Sequence, residues 1–232
     1  MLFFVEEGAE GAAGKRLERP PMFDGISQIL TMPALLALIA CIFGIQASSM
    51  MVSPIFPLFV QALIPGGENV ASAVGFILGV SGIVTAIAAL AIGRVSDRLG
   101  HRKVLAVCAV GAGFSYLPTS LCTDPNQVLL LRALLGLFVG GMLPSANALI
   151  ALRAPEGAQG AAFGLSATSS SLGSALGPLL GAGLATQLGL RSVFVAAGML
   201  LISTGSAAAA MRTGRPGRAR SRPGSGGTAA DA

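Results

Sequence analysis

The chain has 232 residues, 53% of them hydrophobic and only 11% charged, with a formal net charge of +5. Its mean hydropathy is +0.76. Soluble domains carry about a quarter charged residues, so a water-exposed globule is excluded, and one histidine argues against a histidine metal site or a Ser/His triad.

Residues 1–30 open on a short apolar run, Met1–Val5, followed at once by Glu6, Glu7 and Glu10. Five residues cannot span a bilayer or form a signal-peptide core. The mixed stretch Gly8–Gly25 has no sustained periodicity and reads as a loop. Six long apolar segments follow, at about 31–61, 70–93, 103–122, 126–151, 160–187 and 190–211. Most exceed the ~20 residues that cross a hydrocarbon core as a helix. The first holds Pro33, Pro54 and Pro57 and is predicted to be kinked near its end. The breaks are short turn signals: Pro65-Gly66-Gly67-Glu68-Asn69, the charged stretch around Gly100, Thr123-Asp124-Pro125-Asn126, Ala154-Pro155-Glu156-Gly157, and Gly189. Beyond Met211 the sequence is rich in Arg, Gly, Pro and Ser, and residues 212–232 are expected to be a disordered basic tail.

The predicted fold is therefore all-α, a six-helix transmembrane bundle over 31–211. With six spans, every Lys and Arg except Arg132 and Arg191 falls on one face. Such asymmetry places that face, and both termini, in the cytoplasm. It also explains the positive charge without nucleic acid, which is not an expected partner. Cys41, Cys108 and Cys122 sit in apolar surroundings without ligand-like spacing and read as small apolar residues. No nucleophile–base constellation, metal set or phosphate loop stands out. Neither enzymatic activity nor any cofactor or metal is expected.

The connection between segments two and three reads Gly93-Arg94-Val95-Ser96-Asp97-Arg98-Leu99-Gly100-His101-Arg102-Lys103. A positive-inside loop explains its cations but not two glycines and a lone Asp. The stretch resembles the loop signature of the major facilitator superfamily, Gly-x-x-x-Asp-Arg-x-Gly-x-Arg-Lys, at every fixed position: Gly93, Asp97, Arg98, Gly100, Arg102 and Lys103. The resemblance implies a transporter fold and a conformational latch. In it, Asp97, Arg98 and Arg102, beside Arg94, pair with neighbouring helix ends and stabilise one access state. By its residue type alone, Gly93 permits close helix approach.

Two further motifs carry the same resemblance. Arg132 and Gly136 match the fourth-helix pattern Arg-x-x-Gln-Gly, with Leu135 in place of the glutamine. An arginine within an apolar span needs a partner, a watery cavity or a route to the interface. Gly173, Gly177, Pro178 and Gly181 resemble the antiporter motif Gly-x-x-x-Gly-Pro-x-x-Gly-Gly, with Ala182 replacing the last glycine. Glycines four apart also clear a helix face for packing, with no antiport implied.

Members of this family usually have two six-helix halves. The chain resembles one half, the C-terminal one by its opening Met1–Glu7, of a drug-efflux, drug:proton antiporter-type member. The expected function is small-molecule or multidrug efflux by alternating access in the plasma membrane. Lipid, a lipophilic substrate, and a second half or second copy are the implied partners. A non-transporting scaffold or regulatory subunit, or an inactive truncated remnant, would also fit six spans. Pathway candidates are Gln46, Ser48, Ser49 and Asn147, with Met50, Met51 and Phe56 as an adaptable apolar lining. Inter-helical hydrogen bonding and core packing serve those residues equally well.

Overall fold

The computed structural model describes residues 29, 31–64, 69–155 and 157–211. The rest of the expected N-terminal segment, Pro65–Glu68, Glu156 and the tail 212–232 lie outside the described residues. Among the described residues seven helices run in order: α1 (Pro33–Val52), α2 (Ile55–Leu63), α3 (Val70–Leu99), α4 (His101–Thr119), α5 (Pro125–Arg153), α6 (Gln159–Leu188) and α7 (Leu190–Ala210). The described residues form an all-α bundle.

Proline writes several of the boundaries. Pro33 occupies the first turn of α1, where its missing N–H costs nothing. The break between α1 and α2 falls at Ser53 and Pro54, because Pro54 and Pro57 cannot supply the N–H groups a continuous helix requires. The first predicted segment is thus two helices rather than one. Asp124 caps α5, its carboxylate accepting from the Asn126 N–H at 2.9 Å, with Pro125 as first helical residue.

The expected charged loop at 94–102 is corrected to helix almost throughout. α3 continues to Leu99 and α4 begins at His101, so Gly100 alone makes the turn. Charged residues are adequate helix formers, and Val95–Leu99 holds no proline. The helix extends until a residue can reverse the chain. Gly100 does so at φ +91, and Gly189 does the same between α6 and α7 at φ +86. A side chain at either position would be strained.

Packing divides the bundle into three closely apposed helix pairs, each seamed by glycine. α6 lies on α1: a Cβ at Gly177 would stand 2.8 Å from the Ala47 carbonyl oxygen and 3.1 Å from the Met51 nitrogen. α5 lies on α3: a Cβ at Gly140 would meet the Thr85 carbonyl oxygen at 2.5 Å. α4 lies on α7: Gly113 and Gly198 face one another, each opposed by the other's carbonyl oxygen. Lipid removes the hydrophobic drive between helices, so such close backbone approach supplies the cohesion. Phe194 on α7, fully buried, links the α4–α7 pair to α2, its ring centroid 4.7 Å from Phe59 on α2 and 6.4 Å from Tyr116 on α4.

Four helices, α1, α3, α5 and α7, are long and apolar enough to cross a membrane by length and composition. α4 and α6, at 19 and 30 residues, have the length. α4 opens on His101, Arg102 and Lys103, and α6 is dense in serine and glycine. Many of those hydroxyls bond their own helix, as Ser174 Oγ donates to the Ser170 carbonyl at 3.0 Å, which suits an apolar medium. α3 is the least buried span, exposing Phe76, Ile83, Ile87 and Leu90.

Candidate functional site

Arg132 lies seven residues beyond Pro125, well inside α5. Its guanidinium carbon sits 4.0 Å from the Phe56 ring centroid on α2 and 6.0 Å from that of Tyr116 on α4. Stacking on Phe56 offsets part of the cost of a cation in this position. Its Nε is buried without a hydrogen-bond partner among the described residues. The guanidinium turns toward a cavity rather than along the helix to the interface.

α3 fixes the other wall. Ser81 Oγ donates to the Arg132 carbonyl at 2.9 Å. One turn further on, a Cβ at Gly136 would meet the Ser81 carbonyl oxygen at 2.6 Å, so α3 can lie against α5 only because that position is glycine. Between these elements is a cavity of about 210 Å³. Ser49, Ser53, Ser81, Thr85 and Tyr116 give it hydroxyls; Met50, Phe56, Leu78, Leu135 and Val139 give it apolar surface.

The proposed pathway residues separate on this frame. Ser49 lines the cavity. Ser48 is buried elsewhere and donates back to the Gly44 carbonyl at 2.7 Å. Gln46 Nε2 donates to Ser174 Oγ at 3.0 Å, joining α1 to α6. Asn147 is exposed and stands apart from the cavity. Of the apolar candidates, Met50 and Phe56 line the cavity, whereas Met51 packs against Gly177 and Gly181. Sequence reading missed Tyr116, Ser53, Ser81 and Thr85. The only tyrosine in the chain, set within an apolar span, was the available signal for the first.

The four antiporter-like positions lie on α6, and Gly173, Gly177 and Gly181 all face α1 backbone. Ser169 Oγ continues the same stripe, donating to the Ile39 carbonyl at 3.0 Å. That stripe is a packing surface in this arrangement, and the cavity does not reach it.

In the charged turn, Asp97 Oδ1 is 3.8 Å from His101 Nε2, with the Asp97 side chain 74% exposed. His101 Nδ1 lies 2.7 Å from Ser96 Oγ, which is 3.2 Å from Ser145 Oγ on α5. Arg102 reaches the end of α7: its Nε donates to the Ala208 carbonyl at 3.2 Å, and its Nη2 to that of Ala209. At the opposite end of this antiparallel pair, Arg191 Nη2 donates to the Cys122 carbonyl, just past α4, at 3.3 Å. Each helix thus sends an arginine from its start to carbonyls at its partner's end, where the dipole is negative. Arg94, Arg98 and Lys103 make no hydrogen bond or ion pair with the described residues. Gly93 has open space where its Cβ would be and brings no helix close.

Arg102→Gln is expected to lower stability by about 1 kcal/mol through loss of charge-assisted bonds at a helix C-terminus. Arg98→Gln is expected to leave stability unchanged. Denaturation of purified variants, followed by helicity, compares them; equal losses would deny Arg102 its capping role.

A family model described as Major Facilitator Superfamily matches residues 38–230. The chain is 28% identical over 202 residues to multidrug resistance protein MdtG of Salmonella arizonae, covering 87% of this chain and 50% of that protein. It is 29% identical over 201 residues to the protein of the same name in Enterobacter lignolyticus, covering 87% and 48%. With that of Salmonella paratyphi B it shares 32% identity over 160 residues, covering 68% and 40%. The chain spans about half the length of the curated relatives it matches.

Proposed function

The chain belongs to the Major Facilitator Superfamily, and from that premise we propose that it forms one six-helix half of a transporter that exports small lipophilic molecules by alternating access. The Arg132 cavity carries this reading. Its walls combine apolar side chains, an adaptable methionine among them, with hydroxyls and one guanidinium, and it opens between helices rather than closing as a core void. The likeness to multidrug resistance proteins supports the substrate class. Their greater length supports a second six-helix partner, either another half or a second copy of this chain, and the exposed apolar surface of α3 offers room for it or for lipid.

On this reading residues 31–211 are the membrane bundle, and the Gly100 turn, the segment 1–30 and the tail 212–232 are cytoplasmic. The Lys and Arg distribution supports that orientation. The signature turn then acts as the latch: Asp97, paired only with His101 of the same turn, and Arg98 sit on its exposed side, where a partner half can reach them. The Gly-Pro stripe on α6 is a hinge at which α6 moves against α1.

Nile red accumulation in efflux-deficient bacteria tests the reading. Expressing the chain, alone or beside a matching half, is expected to lower dye accumulation several-fold, and Asp97→Ala with Arg98→Ala to abolish most of that difference. In the same cells, Arg98→Cys should react with an impermeant maleimide only in inside-out vesicles. Dye levels identical with and without the chain in both settings would end the transport reading; labelling from outside would end the orientation.

A further inference from the structure

A cation inside an apolar bundle raises a question of charge. The other described cations, Arg94, Arg98, Arg102, Lys103, Arg153 and Arg191, lie at helix ends. The described carboxylates are Asp97 and Asp124. Asp97 is at the far end of α3, and Asp124 caps the Asn126 N–H some 12 Å along the helix axis from Arg132. Neither forms an ion pair with Arg132. Its charge therefore has no counter-ion among the described residues, and its buried Nε has no acceptor.

The cavity hydroxyls, those of Ser53 and Tyr116 among them, can accept from the guanidinium but are neutral and supply no counter-charge. Ser49 Oγ donates to the Ile45 carbonyl at 3.0 Å, Ser81 Oγ to the Arg132 carbonyl at 2.9 Å, and Thr85 Oγ1 to the Ser81 carbonyl at 2.7 Å. Three hydroxyl protons that line the space are spent on backbone. The guanidinium, one face covered by Phe56, remains as the charged donor into a cavity of about 210 Å³.

We propose that this cavity is an anion-recognition subsite, taking the carboxylate of an amphipathic aromatic molecule against Arg132 and its ring against Met50, Leu78 and Val139. A planar guanidinium meets a carboxylate with paired hydrogen bonds, strengthened where water is sparse. A cationic ligand would place like charges together at low dielectric, which is strongly unfavourable. The subsite thus selects anions over cations of the same shape. The inference deepens the transport reading by naming a substrate class for the same cavity, yet binding here is measurable without transport.

The full chain in phosphatidylcholine nanodiscs, with radiolabelled 1-naphthoate as probe, provides the test. Unlabelled 1-naphthoate is expected to displace the label at least about tenfold better than 1-naphthalenemethanol or 1-naphthylmethylamine, the scale of one charged hydrogen bond. Arg132→Gln should erase that preference, and Arg132→Lys should retain part of it. Val139→Phe keeps the charge but fills the cavity, and should weaken all three compounds alike. Far-UV helicity checks that each variant is folded. Equal displacement by the alcohol, wild-type naphthoate affinity in Arg132→Gln, or no saturable binding to the folded chain would each overturn the proposal. Naphthoate binding without dye export would instead leave the subsite standing and remove the transport reading.

Discussion

Gly177→Leu is expected to destroy the packing of α6 on α1 and cost more than about 3 kcal/mol, the upper range for overpacking a filled interior. The reason is what the new side chain meets. At Gly177 even a Cβ would stand 2.8 Å from the Ala47 carbonyl oxygen, 2.8 Å from Met50 Cβ and 3.1 Å from the Met51 nitrogen. Two of those three atoms are backbone, and backbone within a helix cannot swing aside as a long side chain can. The helices must separate, and separation strips close contacts from Gly173 and Gly181 on the same stripe. In lipid those contacts are the cohesion itself, because tails solvate leucine as well as a neighbouring helix does. Gly183→Leu is the matched control: it lies on the same helix, with nothing within 4 Å of its Cβ position. It should shift stability by less than about 0.5 kcal/mol, as open surface changes do. Thermal unfolding of both in detergent decides the matter. Similar losses at 177 and 183 would mean that the α1 seam does not govern the result, since helix propensity favours leucine over glycine at both positions.

Those two glycines also mark what sequence could and could not convey. Spacing of four between Gly173, Gly177 and Gly181 announced a packing stripe, and the stripe is there. Nothing in the sequence named α1 as its partner, because apolar residues surround α1 and its few polar ones, Gln46, Ser48 and Ser49, define no single face. The same uniformity made span positions easy to read, since long apolar runs need no periodicity. At the ends of spans the logic weakened. The stretch Arg94–Leu99 looked like loop through its charge, but charge reports where lipid stops, not where the helix stops. Only Gly100, with its positive φ, terminates it. The functional cavity was the least legible part. Arg132 stood out as a cation in the wrong solvent, but Phe56, Tyr116 and Ser81 reach it from three other helices. No local pattern links residues that far apart in the chain.

Arg132→Met is expected to make the protein more stable while removing naphthoate binding. Two opposing terms set the sign. Withdrawing a cation from water costs several kcal/mol even after relaxation, and here no carboxylate among the described residues repays it. The stack on Phe56, at 4.0 Å, returns only about 0.5–2 kcal/mol. A cavity of about 210 Å³ lined by hydroxyls is polar and roomy enough to admit water, which reduces the penalty. The remaining imbalance predicts a gain of about 1 kcal/mol or more on replacement by an unbranched apolar side chain that can follow the same path over Phe56. Methionine also keeps the Ser81 bond to the residue 132 carbonyl, which needs no arginine. Denaturation of the two forms without ligand gives the sign, and naphthoate then reverses the order, because only the arginine form gains stability from binding an anion. A methionine form less stable than wild type without ligand would show that the guanidinium is held for the bundle's own cohesion, and the charge would no longer need a ligand to explain it.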